Sequence, residues 1–351
     1  MHWQALIWNF CWFVMAAAVA VGVTFLVRQA AYLFGVLDDP ARAPRKQHKT
    51  PVPLLGGIGI IIATIIIVAV GYVLNPHLFT DSLSTHNLLL LLAAAIIIGI
   101  GGLLDDCFDL KPRYQIIFPI AAVTIVVAGG IGIREITNPF GGILRIQLWP
   151  VLTFIWLLSM SYTTKLLDGV DGLATGVTGI GAIMVLLLAL STAYYQSDVA
   201  FLSALFAGVL AGFLVWNFSP AQIYLGESGS VFIGFFLGIL AIISGGKIAT
   251  ALLVMGIPLF DVAAVMVQRV RERRSPISSD RKHLHFRLQQ AGLSVRQTVL
   301  VMYLLSASFG LCTLFLQSRM KLVALGMLAI LMVLLLIWSG RKYNPQTYVQ
   351  E

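Results

Sequence analysis

Long blocks of apolar residues fill most of the chain, and short polar breaks separate them. Each block is close to the roughly 20 apolar residues that a helix needs to cross a bilayer. The pattern predicts an all-α fold, a polytopic helical bundle embedded in a membrane. About eleven transmembrane helices are expected, at approximately residues 5–27, 54–74, 87–104, 115–133, 149–166, 173–195, 200–217, 230–244, 248–267, 298–316 and 321–338.

The composition indicates the same class of protein. Of the 351 residues, 59% are hydrophobic and 11% are charged, and the mean hydropathy is +0.92. A soluble domain carries about 25% charged residues, so this chain has too few to cover a water-facing surface. The longest polar segment, at about residues 268–297, is too short for a core of its own. We therefore expect one integral membrane domain over residues 1–351.

The basic residues predict the orientation of the chain in the membrane. With the N-terminus outside, 18 Lys and Arg residues fall in inner segments and five in outer segments. Cytoplasmic loops are enriched in Lys and Arg, so the N-terminus is expected outside and the C-terminus in the cytoplasm. Twelve of the 15 acidic residues fall on the same inner side, which predicts a cytoplasmic active site. Its loops are expected at about residues 28–53, 105–114, 165–172, 218–229 and 268–297.

Asp105, Asp106 and Asp109 form the first candidate site, at the inner end of the third predicted helix. If the helix continues, Asp105 and Asp109 share a face, as do Asp106 and Asp109. Carboxylates this close repel one another, so the cluster favours a site for Mg²⁺ or a cationic partner that offsets the repulsion. The alternative is a hydrated helix end.

The second candidate site lies between the fifth and sixth predicted helices. Asp168 and Asp171 are each followed by glycine, beside two apolar helices where ionisable residues are costly. The alternative is a tight turn in which one aspartate caps a helix. Lys165 lies within one helical turn of Asp168, so we expect it to pair with a carboxylate or with a substrate phosphate. The alternative for Lys165 is a charge that reaches the lipid headgroups.

Three further segments have the composition of anion-binding sites. Residues 224–230 place small residues and Glu227 at a helix start, where backbone N–H groups can approach a phosphate, although glycine and serine are common at helix starts. Residues 280–287 favour anion binding, because a topology signal needs no histidine, whereas residues 269–274 favour a basic anchor. Residues 45–57 are held extended by two prolines, and taken alone they indicate a rigid basic linker.

In combination, these motifs resemble those of the polyprenyl-phosphate N-acetylhexosamine-1-phosphate transferases. The resemblance keeps the order of the motifs from about residue 38 to about residue 290. Five segments are similar to family patterns: residues 45–57 to R-K-x-H-x-x-P-x-P-x-x-G-G, residues 105–109 to D-D-x-x-D, residues 168–173 to D-G-x-D-G-L, residues 226–230 to G-D-x-G-S, and residues 283–285 to H-x-H. The phospho-N-acetylmuramoyl-pentapeptide branch usually has three consecutive histidines. The chain is therefore more similar to the branch that transfers N-acetylglucosamine 1-phosphate to undecaprenyl phosphate.

The resemblance implies a transferase of the cell (inner) membrane that moves a sugar 1-phosphate from a UDP-sugar to a polyprenyl phosphate and releases UMP. N-acetylglucosamine 1-phosphate is the expected group, and cell-envelope glycan synthesis the expected process. Mg²⁺, or alternatively Mn²⁺, is the implied cofactor. The implied roles are metal binding for Glu227 with Asp105 or Asp106; catalysis for Asp105, Asp106, Asp168 and Asp171; acceptor binding for His48 and Lys49; donor binding for Arg281, His283, His285 and Arg287; and a further contribution from Asp261.

Two residues depart from the family pattern. Lys165 stands where the family usually has asparagine, and Glu227 stands where it usually has aspartate. Lys165 leaves open a catalytically degenerate paralogue that binds lipid phosphate. The carboxylates near the membrane leave open a second hypothesis, a membrane transporter with an ion-coupled carboxylate site. The sequence leaves open the polyprenyl length and the oligomeric state, a homodimer included.

Overall fold

The computed structural model describes residues 3–39, 51–79, 83–138, 141–192, 195–245, 248–273, 282–316 and 318–342. The helices are α1 (Trp3–Phe34), α2 (Gly56–Leu74), α3 (Thr85–Phe108), α4 (Pro112–Gln115), α5 (Ile117–Ala128), α6 (Trp149–Leu167), α7 (Leu173–Ala189), α8 (Ser197–Asn217), α9 (Gly226–Ile243), α10 (Ile248–Val254), α11 (Gly256–Arg271), α12 (Leu284–Gln290), α13 (Val295–Phe315) and α14 (Ser318–Lys342). A short 3₁₀ helix spans Pro76–Leu78. The strands are β1 (Leu37–Asp38), β2 (Val52–Pro53), β3 (Glu135–Thr137) and β4 (Ile143–Arg145).

The helices confirm an all-α, multi-pass membrane protein. Six helices of the described chain are long and apolar enough to cross a bilayer, and a bent pair, α10 and α11, raises the number to seven. Every predicted block contains a helix, but some helices are shorter than their blocks: α5 ends at Ala128 and α7 at Ala189. The number eleven and the orientation of the termini therefore stay predictions.

The ninth predicted helix is broken into α10 and α11, which meet at an angle of 72°. Gly256 begins α11, and Pro258 lies in its first turn. Proline has no N–H group, so it cannot donate the hydrogen bond that would continue α10 into α11. The bend follows from these two residues, which the apolar character of the block conceals.

The centre of the bundle is formed by α9, in which every residue from Ser228 to Ile243 is buried. A helix that is apolar on all sides is stable only when other helices surround it. Small residues let the neighbours approach closely: a Cβ atom built at Gly234 would lie 2.3 Å from the carbonyl oxygen of Met160 in α6. The Thr164 hydroxyl also donates to the carbonyl oxygen of Ser230 at 2.6 Å. The ends of α6 and α9 are therefore held together at backbone distance.

Two small antiparallel ladders connect helices. Leu37 pairs with Pro53 and Asp38 with Val52, so β1 and β2 bring the end of α1 beside the start of α2. The second ladder, β3 with β4, pairs Glu135 with Arg145 in an exposed hairpin between α5 and α6.

Candidate functional site

The predicted carboxylate motifs meet at one end of the bundle, where α3 and α6 end and α7 and α9 begin. Asp106, in the last turn of α3, accepts a hydrogen bond from the backbone N–H of Glu227 through Oδ1 at 3.0 Å. Asp171, in the α6–α7 loop, accepts one from the N–H of Ala221 through Oδ2 at 3.0 Å. These two bonds join three loops that are far apart in sequence.

Glycines allow this convergence. Gly226 has φ +71°, which glycine adopts without strain, and a Cβ there would lie 2.7 Å from Oδ2 of Asp106. A Cβ at Gly102 of α3 would lie 2.2 Å from the backbone N of Ser228, and one at Gly57 of α2 would lie 1.9 Å from the backbone N of Gly229. The start of α9 is therefore enclosed by the backbones of α2 and α3.

The described end of the 45–57 motif also joins this site. The N–H of Tyr224 donates to the carbonyl of Pro53 at 2.8 Å, and the N–H of Gly56 donates to the carbonyl of Tyr224 at 3.0 Å. His48 and Lys49 lie outside the described residues, so their predicted contact with the acceptor phosphate stays a prediction.

Asp105 and Asp109 differ from the expectation of a shared helical face. The helix α3 ends at Phe108, and Asp109 adopts a left-handed conformation with φ +50° and is exposed. Asp105 Oδ1 accepts hydrogen bonds from the N–H of Leu110 at 3.0 Å and from Nε2 of Gln115 at 2.8 Å. The expectation was wrong for Asp109, because the helix unwinds one residue before the face would be completed.

Lys165 pairs with a carboxylate, as expected, and its partner is Glu227. Lys165 Nζ lies 2.6 Å from Glu227 Oε1, and the two side chains are 25% and 14% exposed. The ammonium also donates to Oε1 of Gln115 at 3.1 Å. Gln115 thus connects Lys165 to Asp105. The two residues that depart from the family pattern are in direct contact with each other.

Asp168 lies at the C-terminal cap of α6, half-buried at the centre of the acidic loops. Burial is the main cause that raises the pKa of Asp168 well above its ordinary value, and the carboxylates of Asp171, Asp106 and Glu227 raise it further. The residue before α7 is Gly172, and no side chain caps this helix. The alternative of an aspartate that caps α7 is therefore wrong.

The histidine motif is brought to the same loop by α11 and α12. Asp261 of α11 accepts from the N–H of Leu284 through Oδ1 at 2.8 Å, and its Oδ2 lies 2.8 Å from His283 Nδ1. The rings of His283 and His285 are parallel, with centroids 5.7 Å apart. A Cβ built at Gly169 would lie 3.1 Å from Nε2 of His285. The H-x-H segment therefore packs against the Asp168–Asp171 loop.

His285 is buried, with 1% of its surface exposed. Burial lowers its pKa to about 4; Asp261 acts in the opposite direction, and His283 adds to the lowering. Neither ring nitrogen has a hydrogen-bond partner among the described residues. The lowered pKa favours the neutral imidazole, and both of its ring nitrogens are buried without a partner among the described residues.

The last two residues predicted to bind the donor are Arg287 and Arg281. Arg287 Nε donates to the carbonyl of Lys282 at 2.6 Å, and its Nη2 lies 3.4 Å from Oε1 of Gln268. Its guanidinium therefore links the start of α12 to Gln268 of α11. Arg281 lies outside the described residues.

The predicted metal ligands do not form a preassembled site. Among the described residues, no group of three His, Cys, Asp or Glu side chains converges as a metal site. Lys165 pairs with Glu227 Oε1, and Asp105 Oδ1 accepts two hydrogen bonds. Asp106 Oδ2 is buried without a partner among the described residues. The residues present do not fit a divalent cation held jointly by Glu227, Asp105 and Asp106 in this arrangement.

Gln115 is the site residue that the sequence pattern did not reveal. It joins Asp105 to Lys165, and its position was assigned to the start of an apolar block. An uncharged polar residue where a basic loop meets an apolar block is a weak signal, but it was present.

Comparisons with known proteins agree with the geometry. Residues 88–245 match the model of a family described as glycosyl transferase family 4. A probable undecaprenyl-phosphate N-acetylglucosaminyl 1-phosphate transferase of Bacillus subtilis is 29% identical over 350 residues, which cover 95% of this chain and 94% of that protein. A decaprenyl-phosphate N-acetylglucosaminephosphotransferase of Mycobacterium tuberculosis is 31% identical, with coverage of 82% and 78%. An undecaprenyl-phosphate alpha-N-acetylglucosaminyl 1-phosphate transferase of Yersinia pestis is 28% identical, with coverage of 81% and 77%.

Proposed function

Because the chain belongs to glycosyl transferase family 4, in the branch of the polyprenyl-phosphate N-acetylglucosamine-1-phosphate transferases, we propose that it transfers N-acetylglucosamine 1-phosphate from UDP-N-acetylglucosamine to a polyprenyl phosphate. One observation carries this proposal: at the ends of apolar helices, Asp106 and Asp171 accept backbone hydrogen bonds from Glu227 and Ala221 of a third loop. Lys165 forms an ion pair with Glu227 at the same place. A lipid phosphate and a nucleotide sugar can meet only where the membrane and the water phase adjoin.

In this reaction, an oxygen of the lipid phosphate attacks the phosphorus that carries the sugar. A new P–O bond forms, the P–O bond to the uridylyl phosphate breaks, and UMP leaves with that electron pair. The second pKa of a phosphate monoester is near 6, so the acceptor is largely dianionic at neutral pH and needs little help from a base. The protein's main tasks are to align the two phosphates and to stabilise the charge of the transition state.

The donor site is proposed at the histidine motif. His283 is held by Asp261, while the ring nitrogens of His285 have no partner among the described residues. The His285 ring lies beside the loop of Asp168 and Asp171, where a nucleotide sugar would place its diphosphate, and the His283 ring lies parallel to it at 5.7 Å. Asp105 is proposed to orient the acceptor, with Arg281, Arg287, His48 and Lys49 as further contacts. Magnesium stays a prediction, and no step of this mechanism depends on it.

The site is proposed to face the cytoplasm, with the protein in the inner membrane. The asymmetry of Lys and Arg between the two sides of the chain supports this orientation. A transporter is not favoured, because transport sites lie near the bilayer midplane and these carboxylates lie at the ends of helices. A homodimer is compatible with the proposal and stays a prediction.

Transfer of label from UDP-[¹⁴C]N-acetylglucosamine into a lipid extract tests the proposal directly. Purified protein in detergent, supplied with undecaprenyl phosphate, should label the lipid and release one UMP for each sugar transferred. Asp105→Asn and Asp168→Asn should each lower turnover by about 10²–10³, the usual effect of removing one preorganised electrostatic group. Glu135→Gln in the exposed hairpin is the control and should keep the wild-type rate.

Two outcomes would reject the proposal. If folded wild-type protein transfers no label from any UDP-N-acetylhexosamine, the chain is a non-catalytic paralogue. If both aspartate variants elute as folded protein and turn over normally, the carboxylates are hydrated helix ends and the site lies elsewhere.

A further inference from the structure

The ion pair between Lys165 and Glu227 is held in place by the helices that carry it. Lys165 lies in the last turn of α6 and Glu227 in the first turn of α9, and the contact from Thr164 to Ser230 fixes these two ends together. The pair is mostly buried, and its N–O distance is 2.6 Å. A loose surface ion pair has neither property, and such pairs contribute little.

The lysine charge lies within a network that reaches three carboxylates of the site. Its ammonium pairs with Glu227 and donates to Gln115, whose amide in turn donates to Asp105. The backbone N–H of Glu227 binds Asp106, so the network reaches a third carboxylate. One positive charge thus offsets the repulsion that a divalent cation would otherwise have to relieve.

The same geometry disfavours a resident Mg²⁺ at Glu227. Mg²⁺ requires near-octahedral oxygen ligands at about 2.0–2.1 Å. Glu227 Oε1 already accepts from Lys165, and a second cation beside the ammonium would be repelled by it. Lysine neutralises a carboxylate as a compact point charge and imposes no octahedral geometry.

We propose that the Lys165 ammonium takes the place of a divalent cation at Glu227, so that the protein without substrate binds divalent cations weakly. The inference rests on the proposed function for the identity of the site, but the ion pair is independent of it. Lys165 is then a positioning residue, which fixes the Glu227 carboxylate and the charge of the site before the substrates arrive.

Binding of Mn²⁺ to the purified protein, followed by the loss of the free-ion electron paramagnetic resonance signal, tests the inference without donor, acceptor or turnover. Lys165→Asn should bind Mn²⁺ at least about tenfold more tightly than wild type, because the Glu227 carboxylate becomes available and the repelling charge is gone. The double variant that adds Glu227→Gln to Lys165→Asn should lose this gain in Mn²⁺ affinity. Lys165→Met, which keeps much of the apolar stem, serves if the asparagine variant does not fold.

Lys282→Asn is the matched control. Lys282 pairs with Glu272 at the same N–O distance of 2.6 Å, outside the carboxylate cluster. This variant should leave the Mn²⁺ affinity as in wild type. An equal gain in Mn²⁺ affinity in Lys282→Asn would mean that removing any lysine from an ion pair strengthens Mn²⁺ binding. That result would overturn the inference.

Three other outcomes would contradict the proposed role of Lys165. Tight Mn²⁺ binding by the wild type would show that Lys165 does not occupy the cation position. A Mn²⁺ affinity unchanged in Lys165→Asn, together with weaker binding of UDP-N-acetylglucosamine, would assign Lys165 to the donor diphosphate instead. No change in either affinity would leave the ion pair as a structural link between α6 and α9, and it would overturn the inference. Because these measurements need no turnover, failure of the transfer assay remains distinguishable from failure of this inference.

Discussion

At the scale of single residues, His285 links the structure to the dependence of stability on pH. Its pKa falls from 6.5 to about 4 in the folded protein, so between these values the unfolded chain binds a proton that the folded chain does not. Stability therefore decreases as the pH is lowered through this window. This titration makes the free energy of unfolding about 2 kcal/mol lower at pH 5 than at pH 7.5.

His285→Gln removes this titration and should reduce the loss of stability on acidification. The measurement is the difference between the melting midpoints at pH 7.5 and pH 5 in detergent, for wild type and variant. His86→Gln, which removes an exposed ring, is the control for the loss of a histidine in general. If wild type and His285→Gln lose the same amount between the two pH values, the imidazole is not the group responsible.

Single residues also mark the limit of what the sequence reveals. Lys165 and Glu227 are conspicuous because both depart from the family pattern, but they lie 62 positions apart, and their contact depends on how α6 packs on α9. Asp109 illustrates the opposite error. Its spacing from Asp105 suits a helical face, but the spacing contains no information about where the helix unwinds.

At the scale of secondary-structure elements, the contact of α2 with the start of α9 depends on Gly57. An added Cβ would lie 1.9 Å from the backbone N of Gly229, so the two helices would have to separate. Gly57→Ala should therefore shift α9 and Glu227, lower the melting midpoint by several degrees and abolish most of the transfer activity.

Gly59→Ala, in the same helix, is the matched control. A Cβ at Gly59 would have its nearest contact at 3.5 Å, an ordinary van der Waals distance. This variant should keep the melting midpoint and the activity of wild type. Helix propensity favours alanine over glycine at both positions, so equal losses in the two variants would show that the close approach at Gly57 is not responsible.

The apolar blocks predicted the positions of the helices well, because the length of a block and the length of a helix follow from the same bilayer thickness. They did not predict the break at Met255, where every neighbouring residue is apolar and only Gly256 and Pro258 signal a bend. They also did not predict β1 and β2, since a ladder of two residues has no periodicity to detect.

At the scale of the whole molecule, the orientation can be tested by cysteine labelling. In a background in which the exposed Cys11, Cys107 and Cys312 are replaced by serine, cysteines at Asp109 and Gln222 should react with an impermeant maleimide only in inverted vesicles. A cysteine at Arg145, in the hairpin of β3 and β4, should react in spheroplasts. Labelling of Asp109→Cys or Gln222→Cys from outside would reverse the orientation and place the site on the other face.

The close contact of α6 with α9 has a thermodynamic consequence for ligand binding. Lys165 and Glu227 project from helices that meet at Gly234 and are bonded from Thr164 to Ser230, so their anchoring points have little freedom before a substrate arrives. Ordering mobile side chains and loops costs roughly 0.5–1.5 kcal/mol for each group that is immobilised. On this side of the site most of that entropy has already been lost during folding. At Lys165 and Glu227, the conformational entropy lost on binding then comes mainly from the ligand.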